Sequence, residues 1–463
     1  MITKLYMKFF LMVVVICIAT TINISAQQLT AANLQHLPQR GNFNPAYVPH
    51  GTVNVGIPFF SGFGFNFSNN GFRYNDLIKR RSNDSLYLDA ESAINQMQTR
   101  NRILFDLEID WFSFGVRAGS NYFNLSIRER ANINFEYSKA LIEFLYYGNA
   151  GTLGTLQHLN PGIESSHYRE YAINWARPIA RNLRGGIKLK YLYGMENIHT
   201  KGTGVTIYTD PEDFTITANS DLAIYTSGID TTAFKDFSFG NYALGKSNNG
   251  FGADIGLIYR PLNNLEIGVS MLDLGSIKWR SNITNYSTST ADGAFTYQGI
   301  DIDEFINNDS TSAQEYLENL ADSIYSTFDV QTNHESYKSK LPRQLLLNVS
   351  YYVASNYKVG IMIRNKRQLS GNYTDYQLSF TGATKTWLNY TVAMNKINQS
   401  PATIGGGLVL NFKNDQVYFV SDNVPGLFNW KNSFNTGFRA GINFVLGRNP
   451  KPVTPPQPTL PGT

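Results

Sequence analysis

The stretch FGADIGLIYRPLNNLEIGVSMLDLGSIKW, residues 251–279, limits what this chain can fold into more than any other. Ala253, Ile255, Leu257 and Tyr259 alternate with Gly252, Asp254, Gly256 and, less cleanly, Ile258. Arg260-Pro-Leu-Asn-Asn264 interrupts the pattern as a turn, and Leu265, Ile267, Val269 and Met271 resume it against Glu266, Gly268 and Ser270. Side chains of a strand point to opposite faces with a period of two. This is a hairpin with one apolar face and one face of polar or small residues. The period recurs along most of the chain and predicts an all-β protein: an antiparallel transmembrane β-barrel of about 14 strands, within a range of about 12–16, with helical insertions.

A soluble sandwich also carries one apolar face per strand. Three features favour the barrel. The apolar faces are rich in aromatics, short and long turns alternate, and the last strand is aromatic-rich and close to the C-terminus. Aromatics make up 14% of the 463 residues and charged residues only 16%, with 38 glycines, which suits a wall with aromatic girdles. The formal net charge is +4. No basic run points to nucleic acid or another polyanion.

Lys4 and Lys8 precede the apolar run Phe9–Ala19, and Ile24-Ser25-Ala26 follows a short polar stretch. This is the layout of a cleavable secretory signal, with the cut between Ala26 and Gln27. The apolar run is too short to span a bilayer as a helix. Loss of Lys4 and Lys8 takes the net charge from +4 to +2. Cys17 is the only cysteine and lies in the signal, so the mature chain has no disulfide, thiol or cysteine–metal chemistry. A lipoprotein reading of Cys17 is disfavoured by Ile16, where a small residue is expected. No later apolar run is long enough for a membrane helix, so a membrane role falls to strands.

Four regions follow. Residues 27–50 are polar and irregular, and form a lead-in or plug containing Asn44-Pro45-Ala46. Asn before Pro favours a turn or an extended conformation. Residues 51–448 are the barrel. Strands are read at Thr52–Phe60, Ser61–Ser68, Phe112–Arg117, Phe123–Arg130, Tyr168–Pro178, Gly186–Tyr193, Val205–Thr209 and Phe214–Tyr225, and then from Leu345 onward to Leu446. Helices are read around Leu88–Met97 and at Ser138–Tyr147, where Ser138 caps the start and Gly148 ends the run. This second helix is apolar enough to plug the lumen, cover the mouth or pack under a loop. Residues 281–329 form a long insertion with a helix at Ala313–Tyr325, opened by the capping-box spacing of Ser312 and Glu315. Residues 449–463 carry six prolines and form an extended tail beyond the barrel.

Little of this carries catalytic chemistry. Asp106, Glu108 and Asp110 share one strand face; they fit a polar lumen wall better than a Ca²⁺ site or a carboxylate pair. The six histidines are scattered, with no metal-ligand spacing. No nucleophile motif or phosphate-binding glycine loop occurs, and Gly405-Gly-Gly407 reads as a bend or a point of close packing. The chain is read as non-enzymatic, with no cofactor and no metal. An embedded phospholipase is the enzymatic alternative.

Asn44-Pro45-Ala46 resembles the NPA motif of FadL-type transport barrels, shared by PorV-type proteins of secretion and gliding. Residues 250–279, with the YRPL turn and the LDLG-x-I-x-W ending, and Glu136–Asn149 are similar to an uncharacterised outer-membrane family known only as a domain of unknown function. The resemblance covers nearly the whole mature chain. It implies a FadL-like barrel in the outer membrane of a Gram-negative cell, surrounded by outer-membrane lipid, and carries over no substrate. Two functions are compatible with it. One is transport of a hydrophobic or amphipathic small molecule through a lateral opening, with Asn44, Pro45 and Ala46 and the Ser138–Tyr147 helix lining or gating the path. The other is a non-enzymatic barrel subunit of a secretion, gliding or surface-assembly complex, docking partners through 281–329 and the tail. An open porin is disfavoured because the plug elements would obstruct it.

Overall fold

The computed structural model describes residues 29–447 except 59, 203, 230–247, 289–329, 369–370, 386 and 398–399. The signal and its Ala26–Gln27 cut, the helix at Ala313–Tyr325 and the proline-rich tail lie outside the described residues.

Nineteen strand segments join into one closed antiparallel sheet that makes fourteen strands around the barrel. Strand β1 is built from two pieces, Val53–Gly56 and Gly62–Asn69, and closes the barrel by pairing with both the next strand and the last. Then come β2 (Arg100–Ala118), β3 (Asn121–Ser138), β4 (Gly162–Ala180), β5 (Leu183–Lys201), β6 (Asn249–Leu262) and β7 (Leu265–Trp279). They are followed by β8 (Gln344–Ala354), β9 (Tyr357–Gln368), β10 (Gly371–Lys385), β11 (Leu388–Lys396), β12 (Thr403–Phe412), β13 (Asp415–Ser421) and β14 (Asn435–Leu446). The short segments Ala223–Ser227, Ile283–Ser287 and Tyr337–Lys340 lengthen the wall around β6, β7 and β8 at one end.

One end carries short turns and the other the long connections. In outer-membrane barrels these are the periplasmic and external ends, respectively. Strands β2, β4 and β5 have 19 residues and β13 only 7, so the wall is tall on one flank and low on the other. About 9–11 tilted residues cross a bilayer; the tall flank therefore stands clear of the membrane at the long-loop end.

The two-residue period orients every strand. Phe251 (71% exposed), Ile255, Leu257 and Tyr259 face out, while Asp254 and Ile258 are buried. Leu189, Ile361, Leu378 and Val392 repeat the exposed position on other strands, whereas Lys190, Met362, Gln377 and Ala393 are buried beside them. An apolar outer belt that no protein covers is stable only against hydrocarbon. Exposed Trp175, Tyr259, Tyr351 and Trp387 sit towards the short-turn end, where amphipathic rings meet the lipid interface.

The 3₁₀ turns Leu29–Asn33 and Pro38–Asn42 lie inside the barrel. They and the adjoining His36 and Phe43 bond to inward residues all around the wall: Gln377 on β10, Gln416 on β13, Asn443 on β14, Lys188 on β5 and Ser270 on β7.

The helix expected around Leu88–Met97 occurs at Ala90–Gln96. The one expected at Ser138–Tyr147 is α1, Lys139–Tyr147. Ser138 Oγ accepts from Leu141 N–H at 3.0 Å, and Gly148, at φ +71°, ends it. It stays out of the lumen. Phe144 packs with Leu159, Ile207, Ile216 and Ala218 under a separate three-stranded sheet at the long-loop end. Val205–Thr209 belongs to that sheet, and the expected strand Phe214–Tyr225 is divided between it (Ile216–Ser220) and the barrel extension (Ala223–Ser227).

Candidate functional site

The lumen has two unlike halves. On β2 to β8 and β14 the inward residues are charged and paired. Arg439 donates to Glu108 at 2.9 Å and also to Asp110. Arg128 meets Glu170 at 3.1 Å, and Arg130 meets Asp273 at 3.0 Å and Glu108 at 3.4 Å. Lys190, almost fully buried, touches Asp254 at 2.7 Å, Asp273 at 2.8 Å and Glu170 at 3.4 Å. Gln344 Nε2 donates to Asp273 at 3.0 Å. A buried charge is tolerable only when paired and hydrogen-bonded, and here each of these charges meets an opposite one. Asp106, Glu108 and Asp110 therefore belong to a polar inner wall: Asn66 holds Asp106 at 2.7 Å, and arginines hold the other two.

The other half, β8 to β13, offers apolar and amide groups beside the buried pair Arg364–Asp375, at 2.6 Å, and the buried Lys358. Leu29 and Ala32 pack on Leu346, Met362 and Ile397; Ala31, Leu34 and Leu37 pack on Val409, Tyr418 and Val420. Gly405 and Gly407 clear room for Thr30 and Leu34, so the triple glycine marks close packing. Asp422, just past β13, accepts from the backbone N–H groups of Leu29 and Thr30, each at 2.7 Å. Burial pushes its carboxyl up to about 6, against those hydrogen bonds.

Asn44, Pro45 and Ala46 lie against β4 to β7 at the short-turn half. Asn44 Oδ1 accepts from Ala46 N–H at 2.9 Å, which closes the turn expected for Asn-Pro. Its Nδ2 donates to the backbone carbonyls of Leu257 at 3.1 Å and Val269 at 3.3 Å, a facing pair on β6 and β7. Asn174 Nδ2 donates to Pro45 O at 3.1 Å. A Cβ at Gly186 would strike the backbone of Pro45, and one at Gly256 would strike Asn44. Ala46 is fully buried. The small inward residues of the 251–279 hairpin thus form the seat for this tripeptide. Arg40 Nε donates to Ala32 O at 2.7 Å and its guanidinium covers the Tyr47 ring at 4.2 Å, tying the segment to itself.

The wall itself is interrupted at β1. Gly56 faces Asn443 and Phe63 faces Ala440, so the chain bulges between them opposite Gly441 and Ile442, and the bulge is held by a bond from Ile442 N–H to Phe60 O at 2.8 Å. Phe60 projects outward at 43% exposed. On the inner side Ser61 O accepts from Gln39 Nε2 at 2.9 Å and from Tyr418 Oη at 3.1 Å. Gln39 also donates to Asn443 Oδ1 at 2.8 Å. The N-terminal segment thereby bonds to both sides of the interruption. The sequence reading placed strands at Thr52–Phe60 and Ser61–Ser68 and missed that they are one strand with an outpouching. Pro58, which cannot donate to a ladder, was the available signal.

At the long-loop end two cavities of about 570 and 700 Å³ share His199 and Lys201.

A model of a family of unknown function, DUF5723, matches residues 45–422. No curated protein matches the sequence. The structure is similar to the Pseudomonas putida toluene transporter TodX, at 9% identity over 91% of this chain and 94% of that one, with a TM-score of 0.39. It is also similar to the CymD monoaromatic hydrocarbon channel, at 11% identity over 91% and 98% with a TM-score of 0.38. A Pseudomonas aeruginosa FadL homologue resembles it at 8% identity over 91% and 96%, with a TM-score of 0.32.

Proposed function

This chain belongs to DUF5723, a family of unknown function, and we propose that it moves a hydrophobic or amphipathic small molecule across the outer membrane of a Gram-negative cell. One observation carries the reading: the segment filling the lumen is hydrogen-bonded, through Gln39, to Ser61 in the β1 outpouching and to Asn443 on the facing strand β14. Residues 29–50 serve as the plug. The 57–62 outpouching is the side outlet, leading from the lumen to the apolar belt. When the plug shifts at Gln39, the outlet loses its inner brace, and an apolar molecule leaves sideways into lipid past the Arg439, Glu108 and Asp110 pairs, which stay neutralised by one another. The seat of Asn44, Pro45 and Ala46 on Gly186 and Gly256 fixes the plug at rest.

Native mass spectrometry of the protein, extracted gently from its own outer membrane, tests the proposal. A monomer carrying a defined apolar or amphipathic adduct is the expected result. A reproducible complex with other chains around an empty barrel overturns it and favours the assembly-subunit reading.

A further inference from the structure

The two cavities at the long-loop end form one vestibule joined at His199 and Lys201. It is walled by the tall strands β2 to β5 and by the extensions of β6 to β8, and Tyr373 at the start of β10 reaches it from across the mouth. Arg102, 3% exposed, lays its guanidinium 3.7 Å from the centre of the Tyr373 ring.

The vestibule is basic. Arg100, Arg102, Lys201, Lys338, Lys340 and Arg367 face it, against Glu136, Glu164 and Glu335. Among the described residues, the pair Arg102–Glu136 at 4.0 Å is the one ion pair these nine make. Six cations facing three carboxylates call for an anion.

The vestibule also holds polar atoms that lack a partner among the described residues. Tyr137, 3% exposed, has a free Oη. Asn285, 2% exposed, donates through Nδ2 to Asn333 and Glu335, while its Oδ1 accepts nothing. His199 Nδ1 is likewise unpartnered. An orphaned buried group is costly unless a ligand or water meets it. Asn285 Oδ1 requires a donor, and a bare carboxylate or phosphate supplies none. A hydroxyl both donates and accepts, and so serves all three atoms. Tyr225 and Tyr337 line the second cavity, packed on each other with ring centroids 5.2 Å apart. The cavity sizes are those of small-molecule sites.

We propose that this vestibule binds a hydroxyl-rich organic anion of the sugar-acid class, its carboxylate between Arg102 and Lys201 and its hydroxyls on Tyr137 and Asn285. The inference goes beyond the transport reading, whose cargo is hydrophobic or amphipathic, and stands whether or not the sugar acid is carried inward.

The test is isothermal titration of the full chain in detergent micelles with sodium D-glucuronate, D-glucose and sodium hexanoate. Saturable glucuronate binding is expected, with glucose and hexanoate each at least tenfold weaker. Lys201→Gln and Arg102→Gln should each weaken glucuronate at least tenfold and Tyr137→Phe several-fold, while the heat-dependent gel shift of the barrel stays unchanged. Lys201 is exposed, so its variant reads ligand contact even where Arg102→Gln fails to fold. Absence of saturable glucuronate binding overturns the proposal. So does equal binding of hexanoate, which needs charge alone, or of glucose, which needs hydroxyls alone. Uptake of labelled glucuronate into vesicles containing the protein separates the two claims: binding without uptake leaves the site standing and removes transport of this ligand, and uptake without saturable binding does the reverse.

Discussion

The backbone N–H of Asp273 donates to Oδ1 of Asp254 at 2.8 Å, and Asp273 itself sits at φ +58°. The pairing of β6 with β7 slips between Ala253 and Ile255. This bulge turns the Asp273 carboxylate inward, where it collects Arg130, Lys190 and Gln344. Asp is among the few side chains that tolerate this backbone region without large strain.

Removing the hub should therefore cost more than removing any single pair. Asp273→Asn leaves Arg130 and Lys190 short of a carboxylate in the buried wall, and breaking such a pair costs about 3–5 kcal/mol. Loss of the heat-modifiable gel shift at a lower temperature than for the unaltered chain checks this. Asp106→Asn, whose partner is the amide of Asn66, should change the transition far less.

Gly256→Val places a side chain where Asn44 now sits. The barrel should still form, because position 256 faces the lumen and keeps its ladder to β5 and β7. The N-terminal segment should lose its seat. Limited proteolysis should then cut between residues 40 and 50 at least tenfold faster, with strand protection unchanged.

Asn44→Ala keeps the glycine pad and removes three hydrogen bonds, two to carbonyls and one from Ala46 N–H, for a loss of about 1.5–4.5 kcal/mol at about 0.5–1.5 each. In planar bilayers this variant should show more frequent open events than the unaltered protein. A double variant, Gln39→Cys with Asn443→Cys, should silence those events when oxidised and restore them on reduction.

Asp422 gives the plug contact a pH dependence of known sign. Its carboxyl titrates near 6 when folded, above the ordinary aspartate value of about 3.9. The folded state thus binds more protons than the unfolded one between these values, and stability falls as pH rises through that window. The span is about 3 kcal/mol at most. Comparing melting temperatures of the unaltered chain and Asp422→Asn from pH 4 to 7 isolates it: the gap should be widest, in favour of the variant, at the alkaline end.

Leu257→Arg should cost about 2–4 kcal/mol if the outer belt faces the middle of the bilayer, and Leu262→Arg, at the short-turn end, about 0–1 kcal/mol. Refolding equilibria in lipid vesicles measure both.

The outside of the barrel was legible in the sequence and the inside was not, for a physical reason. Lipid asks the same thing of every outward residue, so Leu257, Ile361 and Val392 each announce their face locally through the two-residue period. Inward residues answer to partners far away in the chain. Asp110 meets Arg439, 329 positions on, and Gln39 meets Asn443, 404 positions on. No window of sequence contains such pairs. Asn44-Pro45-Ala46 could be read as a turn, but its seat on Gly186 and Gly256 could not. Those glycines look like the small half of a strand pattern until the segment they accommodate is in place. The helix α1 was placed correctly by Ser138 and Gly148, yet its side of the barrel depended on Leu159, Ile207 and Ile216, which the chain brings to it only in three dimensions.

The interruption in β1 also bears on how the protein is built. Strand β1 is both the seam partner of β14 and the direct continuation of residues 29–50. The bonds of that segment to β5, β7, β10, β13 and β14 tie the strand at the seam, through the lumen, to the far wall. The closing edge has only eight ladder residues at its outer piece and four at its inner one. The bulge at Phe60, held to Ile442 by a backbone bond at 2.8 Å, leaves the first strand with the shortest continuous ladders at the seam.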